Sequence, residues 1–329
     1  MRLLIFEPSY RRLQAQIDAM PGVEPLVMGA GGTVVANGRT LAPEEIDADA
    51  AWTNADVFFA PEARAFMVAM LKSPSLKWAQ SGAAGFDNPV FQQIIQKGAK
   101  LTTSHGQAVG MADYVLWGVL DALQGGARRR AAQAAHRWER HPFREISGSR
   151  WAIVGFGAIG KGVADRARAF GAHITGVRRN PAADTSADQI TAPADLISIL
   201  PQTDVVVLAC PLTAETRHMA DTAFFGAMKP GAIFVNVGRG GLVDETALLA
   251  ALEKGVPEHA VLDVFEAEPQ PADGPFWDHP RVTLTPHSSG MSTGNAARND
   301  ALFLDNLKRF VSGEPLKNLA DPKDVLAGG

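Results

Sequence analysis

The sequence reads as an α/β protein with two doubly wound parallel sheets. Short apolar runs alternate with amphipathic segments of helix length from the first residues onward, and the alternation restarts after Ser149. In the second half the runs are almost continuously Val, Ile, Leu and Ala. Strands buried on both faces have that composition, and parallel neighbours need crossover segments long enough to be helices. A chain of 329 residues exceeds one average domain and falls short of three, so two domains are expected.

In the first half the candidate strands are Leu3 to Phe6, Pro25 to Met28, Val57 to Ala60, Leu76 to Gln80 and Leu101 to Thr103, each bounded by Gly, Pro, Ser or Asn. A helical pattern follows from Gln107 to Leu123, with Val109, Ala112, Leu116, Val119 and Leu123 in step, and stops at Gly125-Gly126. From Arg128 to Arg144 the chain is rich in Arg and His around Trp138, which reads as a basic, exposed connector. The second set of strands is Trp151 to Val154, His173 to Val177, Asp204 to Ala209, Ala232 to Val235, Ala260 to Leu262 and Val282 to Leu284. Ser292 to Val311 then repeats apolar residues every three or four positions, the pattern of an amphipathic helix.

Composition excludes several classes. Hydrophobic residues at 46% and charged residues at 20% are the proportions of an ordinary globular chain, neither disordered nor coiled-coil. A formal charge of -4 gives no electrostatic reason to expect nucleic acid. No apolar run approaches the roughly 18 residues of a membrane span, and the opening Met1-Arg2-Leu3-Leu4-Ile5-Phe6-Glu7 is too short for a signal-peptide core, so the chain is expected to start at Met1. Cys210 is the single cysteine, which rules out an internal disulfide or a cysteine-based metal site and suits the cytoplasm. No His, Cys and carboxylate cluster has ligand spacing, so no metal is expected.

The most informative segment is Trp151-Ala152-Ile153-Val154-Gly155-Phe156-Gly157-Ala158-Ile159-Gly160, an apolar strand running through G-x-G-x-x-G into a helix. Gly155 permits the tight turn, Gly157 lets the backbone approach a pyrophosphate, and Gly160 lets helix and strand pack closely. Free N–H groups and the positive end of the helix dipole favour the phosphates there. An NAD site would place Asp or Glu at the end of the next strand, about 20 residues on. This chain has Arg178-Arg179 after His173 to Val177 instead. Guanidinium groups grip phosphate through parallel charge-assisted bonds, so NADP(H) is the preferred cofactor, with NAD(H) possible.

Three polar groups follow strands in the second half: Arg239 after Ile233, Glu268 after Val261, and His287 after Val282. The carboxyl edge of a parallel sheet is where open α/β folds bind ligands. Taken singly, Arg239 reads equally as a surface charge, Glu268 as a loop carboxylate and His287 as a satisfied loop histidine.

Taken together with Pro211-Leu212-Thr213 and Thr216, Met228-Lys229-Pro230-Gly231, Asn236 to Gly241, Val243-Asp244-Glu245, Asp263 to Pro269 and Thr285-Pro286-His287, they make the sequence resemble the D-isomer-specific 2-hydroxyacid dehydrogenase family. The resemblance spans nearly the whole chain and is strongest from Gly148 to Gly290; Ser81-Gly82-Ala83-Ala84-Gly85-Phe86-Asp87 is similar to the family's substrate loop. It implies a discontinuous layout, with a flavodoxin-like substrate domain at 1–104 completed by 286–329 and a Rossmann cofactor domain at 105–285. It puts Arg239, Glu268 and His287 in the catalytic places, and gives the substrate to Arg239, His287 and the backbone N–H groups of Ala84 and Gly85. The cofactor positions it implies are Gly155, Gly157, Ala158, Ile159, Gly160, Arg178, Arg179, Pro211, Thr216, Val237, Gly238, Arg239, Asp263, His287 and Gly290, Asp263 holding the nicotinamide amide. It also implies a homodimer through the cofactor domain, with the arm from Gln124 to Arg144 at the contact and Trp138 reaching the partner's site. Ser104 and Asp113 stand where the family has Asn and Glu, and carry no catalytic role here.

Chemistry agrees with those places. Reducing a 2-oxo acid takes a hydride at C2, a proton at the carbonyl oxygen and a cation that holds and polarises the substrate. A carboxylate such as Glu268 favours protonated His287, and the planar fork of Arg239 suits a carboxylate beside a carbonyl. The expectation is an NADPH-preferring reductase of small 2-oxo acids, glyoxylate and hydroxypyruvate first among them. The alternatives are an NAD-dependent dehydrogenase of a larger acid such as 3-phosphoglycerate, or a non-catalytic dinucleotide-sensing scaffold on the same fold.

Overall fold

A computed structural model of the chain describes residues 1–85 and 88–327. The chain divides into two compact units, Met1–Gln107 with Thr293–Gly329, and Ala108–Ser292. The crossings thus fall at 107/108 and 292/293, against 104/105 and 285/286 in the sequence reading.

The first unit holds β1 (Arg2–Phe6), β2 (Glu24–Met28), β3 (Val34–Ala36), β4 (Arg39–Thr40), β5 (Ala50–Thr53), β6 (Trp78–Ser81) and β7 (Lys100–Thr102). Their order is β4-β3-β2-β1-β5-β6-β7. The parallel strands alone run in the 2-1-3-4-5 order of a flavodoxin-like sheet. Antiparallel β3 and β4 extend one edge through a tight hairpin at Asn37-Gly38, both in the left-handed region at φ 50° and 74°.

Val57 to Ala60 is not a strand. Ala55–Phe58 forms a short helix, and the strand expected there lies just upstream at Ala50–Thr53, all four residues buried. Two leading alanines weaken the strand signal of Ala50–Thr53, while the louder Val57-Phe58-Phe59 run buries Val57 and leaves Phe59 79% exposed. Elsewhere side chains alternate as a sheet demands. Leu3 and Ile5 face one core with Trp52, Trp78, Phe303 and Leu307, while Leu4 and Phe6 face the other with Leu26, Met28, Phe66 and Phe91. Phe303 comes from the late helix Asn295–Ser312 and stacks on Trp52, ring centroids 4.8 Å apart and planes within 6°.

Next to the crossing, buried Ser104 hydrogen-bonds Asn299 of the same late helix, and Gly106 N–H donates to Ser104 Oγ at 3.1 Å. A Cβ on Gly106 would lie 2.4 Å from Asn299 Oδ1, so a larger residue there would push the Asn299 side chain off its bond with Ser104. Asp113 serves as a surface partner, accepting from Arg166 Nε at 2.6 Å.

The second unit holds β8 (Arg150–Val154), β9 (His173–Val177), β10 (Gln189–Thr191), β11 (Val205–Leu208), β12 (Ile233–Asn236), β13 (His259–Leu262) and β14 (Val282–Leu284), all parallel in the order β10-β9-β8-β11-β12-β13-β14. This is the Rossmann order 3-2-1-4-5-6 with one strand added. Val205 and Val207 pack under the helices Ala108–Leu123 and Ala158–Ala169, whereas Val206 and Leu208 face Phe224, Phe225 and Phe234.

The segment expected to be a basic connector begins as a helix, Gly126–Ala134. Gly125 ends the preceding helix at φ 63°, and Arg130 then clamps back on Asp121 with two bonds of 2.6 and 2.9 Å. Alanine and arginine are good helix formers, so the segment stays helical as far as Ala134 despite its charge.

Candidate active site

The glycine turn follows β8, and its three glycines have different reasons to be there. Gly155 lies at φ 92°, and a Cβ on it would meet Cys210 N at 2.4 Å; one on Gly160 would meet Gly155 O at 2.3 Å. The protein's own packing demands both. Gly157 has ordinary extended backbone, and a Cβ there would meet nothing within 4 Å. The open space stands before a helix, Ala158–Ala169, that no side chain caps. The first-turn N–H groups at Ala158, Ile159 and Gly160 precede the first intrahelical bond, Lys161 N–H to Gly157 O. An uncapped helix end facing free space fits the pyrophosphate of a dinucleotide.

The flanking positions expected to meet the cofactor are held by hydrogen bonds within the chain. Thr216 Oγ1 donates to Pro211 O at 2.8 Å and accepts from Thr213 N at 2.8 Å, closing the loop after β11. Val237 N–H bonds Leu208 O, Gly238 N–H bonds Asn236 Oδ1 at 3.1 Å, and Gly290 O accepts from Ser292 N.

Beyond β9, Arg178 is half-buried and Arg179 exposed. Arg178 donates to Ala182 O at 2.5 Å and to Asp184 Oδ2 at 3.4 Å. The same carboxylate oxygen accepts from Lys161 Nζ at 2.7 Å. Lys161 is first in holding Asp184 below the usual carboxylate range.

The acid–base candidates sit on three loops at the carboxyl edge. His287 follows β14 with φ 51°, a left-handed conformation unusual for a residue with a Cβ. Its Nδ1 bonds Glu268 Oε2 at 2.7 Å, both side chains partly exposed. A carboxylate only accepts, so Nδ1 carries the proton in this bond and Nε2 is the nitrogen that Glu268 leaves unengaged. The other Glu268 oxygen takes the Phe265 N–H at 2.9 Å, which fixes the carboxylate's direction.

Arg239 is half-buried on the loop after β12, its Nη1 on Gly238 O at 2.7 Å and its own carbonyl held by Asn236 Nδ2 at 2.9 Å. Its neighbour Gly240 lies flat against the Phe265–Glu266 peptide, where a Cβ would fall 1.9 Å from the Phe265 carbonyl carbon. That contact ties the Arg239 loop to the Glu268 loop.

Asp263 is wholly buried, and its carboxylate organises the histidine loop. It accepts from Thr285 Oγ1 at 2.6 Å, Ser288 N at 2.8 Å and Ser289 N at 3.0 Å. Its carbonyl takes the His287 N–H at 2.8 Å. Tyr114, from the helix Ala108–Leu123, shares a 2.6 Å bond with Thr285 Oγ1, and burial raises its phenol above the ordinary value.

Ala84 and Gly85 follow β6 in the first unit and are partly exposed. Ala83 N–H bonds Ser81 Oγ, Gly82 N–H bonds Thr53 O, and among the described residues neither the Ala84 nor the Gly85 N–H is used. Phe86 and Asp87 lie outside the described residues.

Several groups beside these positions have contacts that the sequence did not assign, Glu245 entering the resemblance only within the Val243-Asp244-Glu245 run. Glu245 opens the helix Glu245–Glu253 and accepts the Glu266 N–H at 2.8 Å; burial first, then Glu266 and Glu268, raise its carboxyl. His218 donates to Glu266 Oε1 at 2.5 Å. Lys161, Tyr114 and Asp184 are the others. Each acts through a partner distant in sequence, which no motif spacing reveals. Cys210, beside the glycine turn, is buried, and that pushes its thiol up to about 12, the state of an unreactive packing residue.

The glycine turn and the paired imidazole and carboxylate share one sheet edge, which places the molecule among the oxidoreductases that work with a dinucleotide. The model of the D-isomer specific 2-hydroxyacid dehydrogenase, NAD binding domain, matches residues 116–289. The chain belongs to that family. It is 32% identical over 301 residues to glyoxylate/hydroxypyruvate reductase B of Citrobacter koseri, covering 86% of this chain and 90% of the relative. Among solved structures it is similar to an NADPH-dependent glyoxylate/hydroxypyruvate reductase from Sinorhizobium meliloti in complex with NADP and sulfate, at 26% identity and TM-score 0.78 over 100% of this chain and 99% of the other. A D-isomer specific 2-hydroxyacid dehydrogenase from Xanthobacter autotrophicus in complex with NADPH and MES matches at 28% identity and TM-score 0.78, covering 98% of this chain and 99% of that one.

Proposed function

We propose that the protein is an NADPH-preferring reductase of small 2-oxo acids, glyoxylate and hydroxypyruvate first, forming D-2-hydroxy acids. The observation that carries the reading is the 2.7 Å bond from His287 Nδ1 to Glu268, which leaves Nε2 to deliver a proton. The glyoxylate/hydroxypyruvate reductases it is similar to supply the substrate class, and Arg178 and Arg179 the cofactor preference.

In this reading the reduced nicotinamide supplies the hydride that reduces the carbonyl carbon. His287 Nε2 protonates the carbonyl oxygen, and Glu268 balances the imidazolium and fixes its ring. Arg239 pairs with the substrate carboxylate and offsets charge growing on the oxygen. Ala84 and Gly85 offer N–H groups to the carboxylate, and Asp263, buried beneath the histidine loop, holds the loop that presents His287. Oxidation reverses the roles, with His287 as base.

The reading extends to a homodimer formed through the second unit, supported by Trp117, Trp138 and Phe170, which are 47%, 92% and 51% exposed there. A cytoplasmic setting suits a chain whose single thiol is buried and unreactive.

Purified protein should oxidise NADPH with glyoxylate or hydroxypyruvate much faster than NADH, and Arg178→Asp with Arg179→Ala should erase the difference. His287→Asn should lower kcat by about a hundredfold to ten-thousandfold. No turnover of any 2-oxo acid, or a fully active His287→Asn, overturns the reading.

A further inference from the structure

We propose that Lys161 and Arg178 together form the seat for the cofactor's 2′-phosphate, and that the Asp184 carboxylate sits in it as an internal competitor that sets the balance between NADP(H) and NAD(H). The proposal rests on the dinucleotide reading above and goes past it in assigning Lys161 and Asp184.

The location follows from the fold. In a sheet of this order the end of the second strand meets the 2′ position of the adenosine ribose, and here that strand is β9, ending at Val177. Two cations from different elements converge beside it. Lys161 stands in the first turn of the helix after the glycine turn, and Arg178 is the first residue past β9. Their nitrogens lie 2.7 Å and 3.4 Å from one oxygen, Asp184 Oδ2. A single anionic oxygen gripped by a lysine and an arginine is the arrangement that a phosphate oxygen takes.

The carboxylate is held there by its own turn. Asp184 Oδ1 accepts from Ser186 N at 3.1 Å, and the side chain is only 10% exposed. It fills the seat poorly. The Arg178 contact is long, the second guanidinium nitrogen is turned to Ala182 O, and Arg178 Nε is buried with no partner among the described residues. A phosphate carries about two charges and three acceptor oxygens against one charge and two oxygens for Asp184, so it offers both cations stronger bonds.

The same residue accounts for tolerance of NAD(H). The strand end lacks the carboxylate that would accept the ribose 2′-hydroxyl, and Asp184 brings one to that place from the following loop. It therefore favours the hydroxyl and opposes the phosphate.

The test is calorimetric titration of the purified protein, without any oxo acid, by NADP⁺, NAD⁺, 2′-AMP and 5′-AMP. Asp184→Asn keeps an oxygen for the Ser186 N–H and removes the charge. It should tighten NADP⁺ and 2′-AMP about tenfold in low salt, weaken or leave NAD⁺, leave 5′-AMP within twofold, and lose part of the gain in high salt. Lys161→Ala should weaken NADP⁺ and 2′-AMP by about tenfold or more and leave NAD⁺ and 5′-AMP within twofold. An unchanged ratio of NADP⁺ to NAD⁺ affinity in Asp184→Asn, or an equal loss of both in Lys161→Ala, overturns the proposal even if the wild type prefers NADP⁺. A wild type that prefers NAD⁺ while Asp184→Asn moves it towards NADP⁺ overturns the cofactor preference and leaves the seat in place.

Discussion

Replacing Asp263 by Ala should destabilise the second unit well before any question of turnover arises. The carboxylate is fully buried and receives three donors, Thr285 Oγ1, Ser288 N and Ser289 N. Thr285 can turn its hydroxyl to Tyr114, 2.6 Å away, so the lasting loss falls on the two amides. A buried N–H left without a partner costs about 1–3 kcal/mol, giving about 2–6 kcal/mol for the pair. That is a large part of the roughly 5–15 kcal/mol that stabilises a typical domain. At about 2–4 °C per kcal/mol for a unit of this size, the melting temperature should drop by about 4–24 °C. Circular dichroism melts without nucleotide isolate this effect from cofactor binding. Asp263→Asn keeps one acceptor oxygen and sets an amide against the Ser289 N–H, so its loss should be clearly smaller. An Asp263→Ala melt within 2 °C of wild type would refute the claim that this carboxylate builds the histidine loop.

His259 gives a pH-dependent counterpart. Burial lowers its pKa from 6.5 to about 4, and its Nε2 shares a 2.9 Å bond with Thr283, so the folded protein holds it neutral where the unfolded chain protonates it. Unfolding takes up a proton between those values; the contribution is therefore intact above pH 6.5 and fades as pH falls towards 4, by up to about 3 kcal/mol. Urea melts across that range should show the slope in wild type and a shallower one in His259→Gln; identical slopes would count against it. Gly240→Ala and Gly157→Ala form a matched pair. The first forces the Phe265–Glu266 peptide aside and should cost about 1–3 kcal/mol together with most activity, whereas the second meets nothing within 4 Å and should melt like wild type. Equal melting temperatures for the two would remove the packing argument.

What the sequence made legible follows from how local each signal is. The strands around Gly155 and the loops ending in Arg239, Glu268 and His287 are contiguous patterns, and the bond between Glu268 and His287 sits where their motifs place them. The Asn37-Gly38 hairpin was also local but joins strands of three and two residues, too short to register. β5 failed for another reason: Ala50-Ala51-Trp52-Thr53 is a strand because the sheet around it buries all four residues, not because of its own propensity. Lys161 with Asp184, Tyr114 with Thr285 and Glu245 with Glu266 join residues 21 or more positions apart, and only the folded sheet edge brings them together.

The late helix Asn295–Ser312 imposes an order of events during synthesis. Its Phe303 and Leu307 complete the core that Trp52 and Trp78 begin, yet the whole second unit is made in between. At about 5–20 residues per second, a ribosome needs roughly ten to forty seconds to cross that interval. For that time the two tryptophans of the nascent chain stand without their cover, while all of the parallel strands from β8 to β14 emerge and can pair. The unit begun first is thus finished last, and a chaperone meeting this chain on the ribosome would find its exposed face at Trp52 and Trp78.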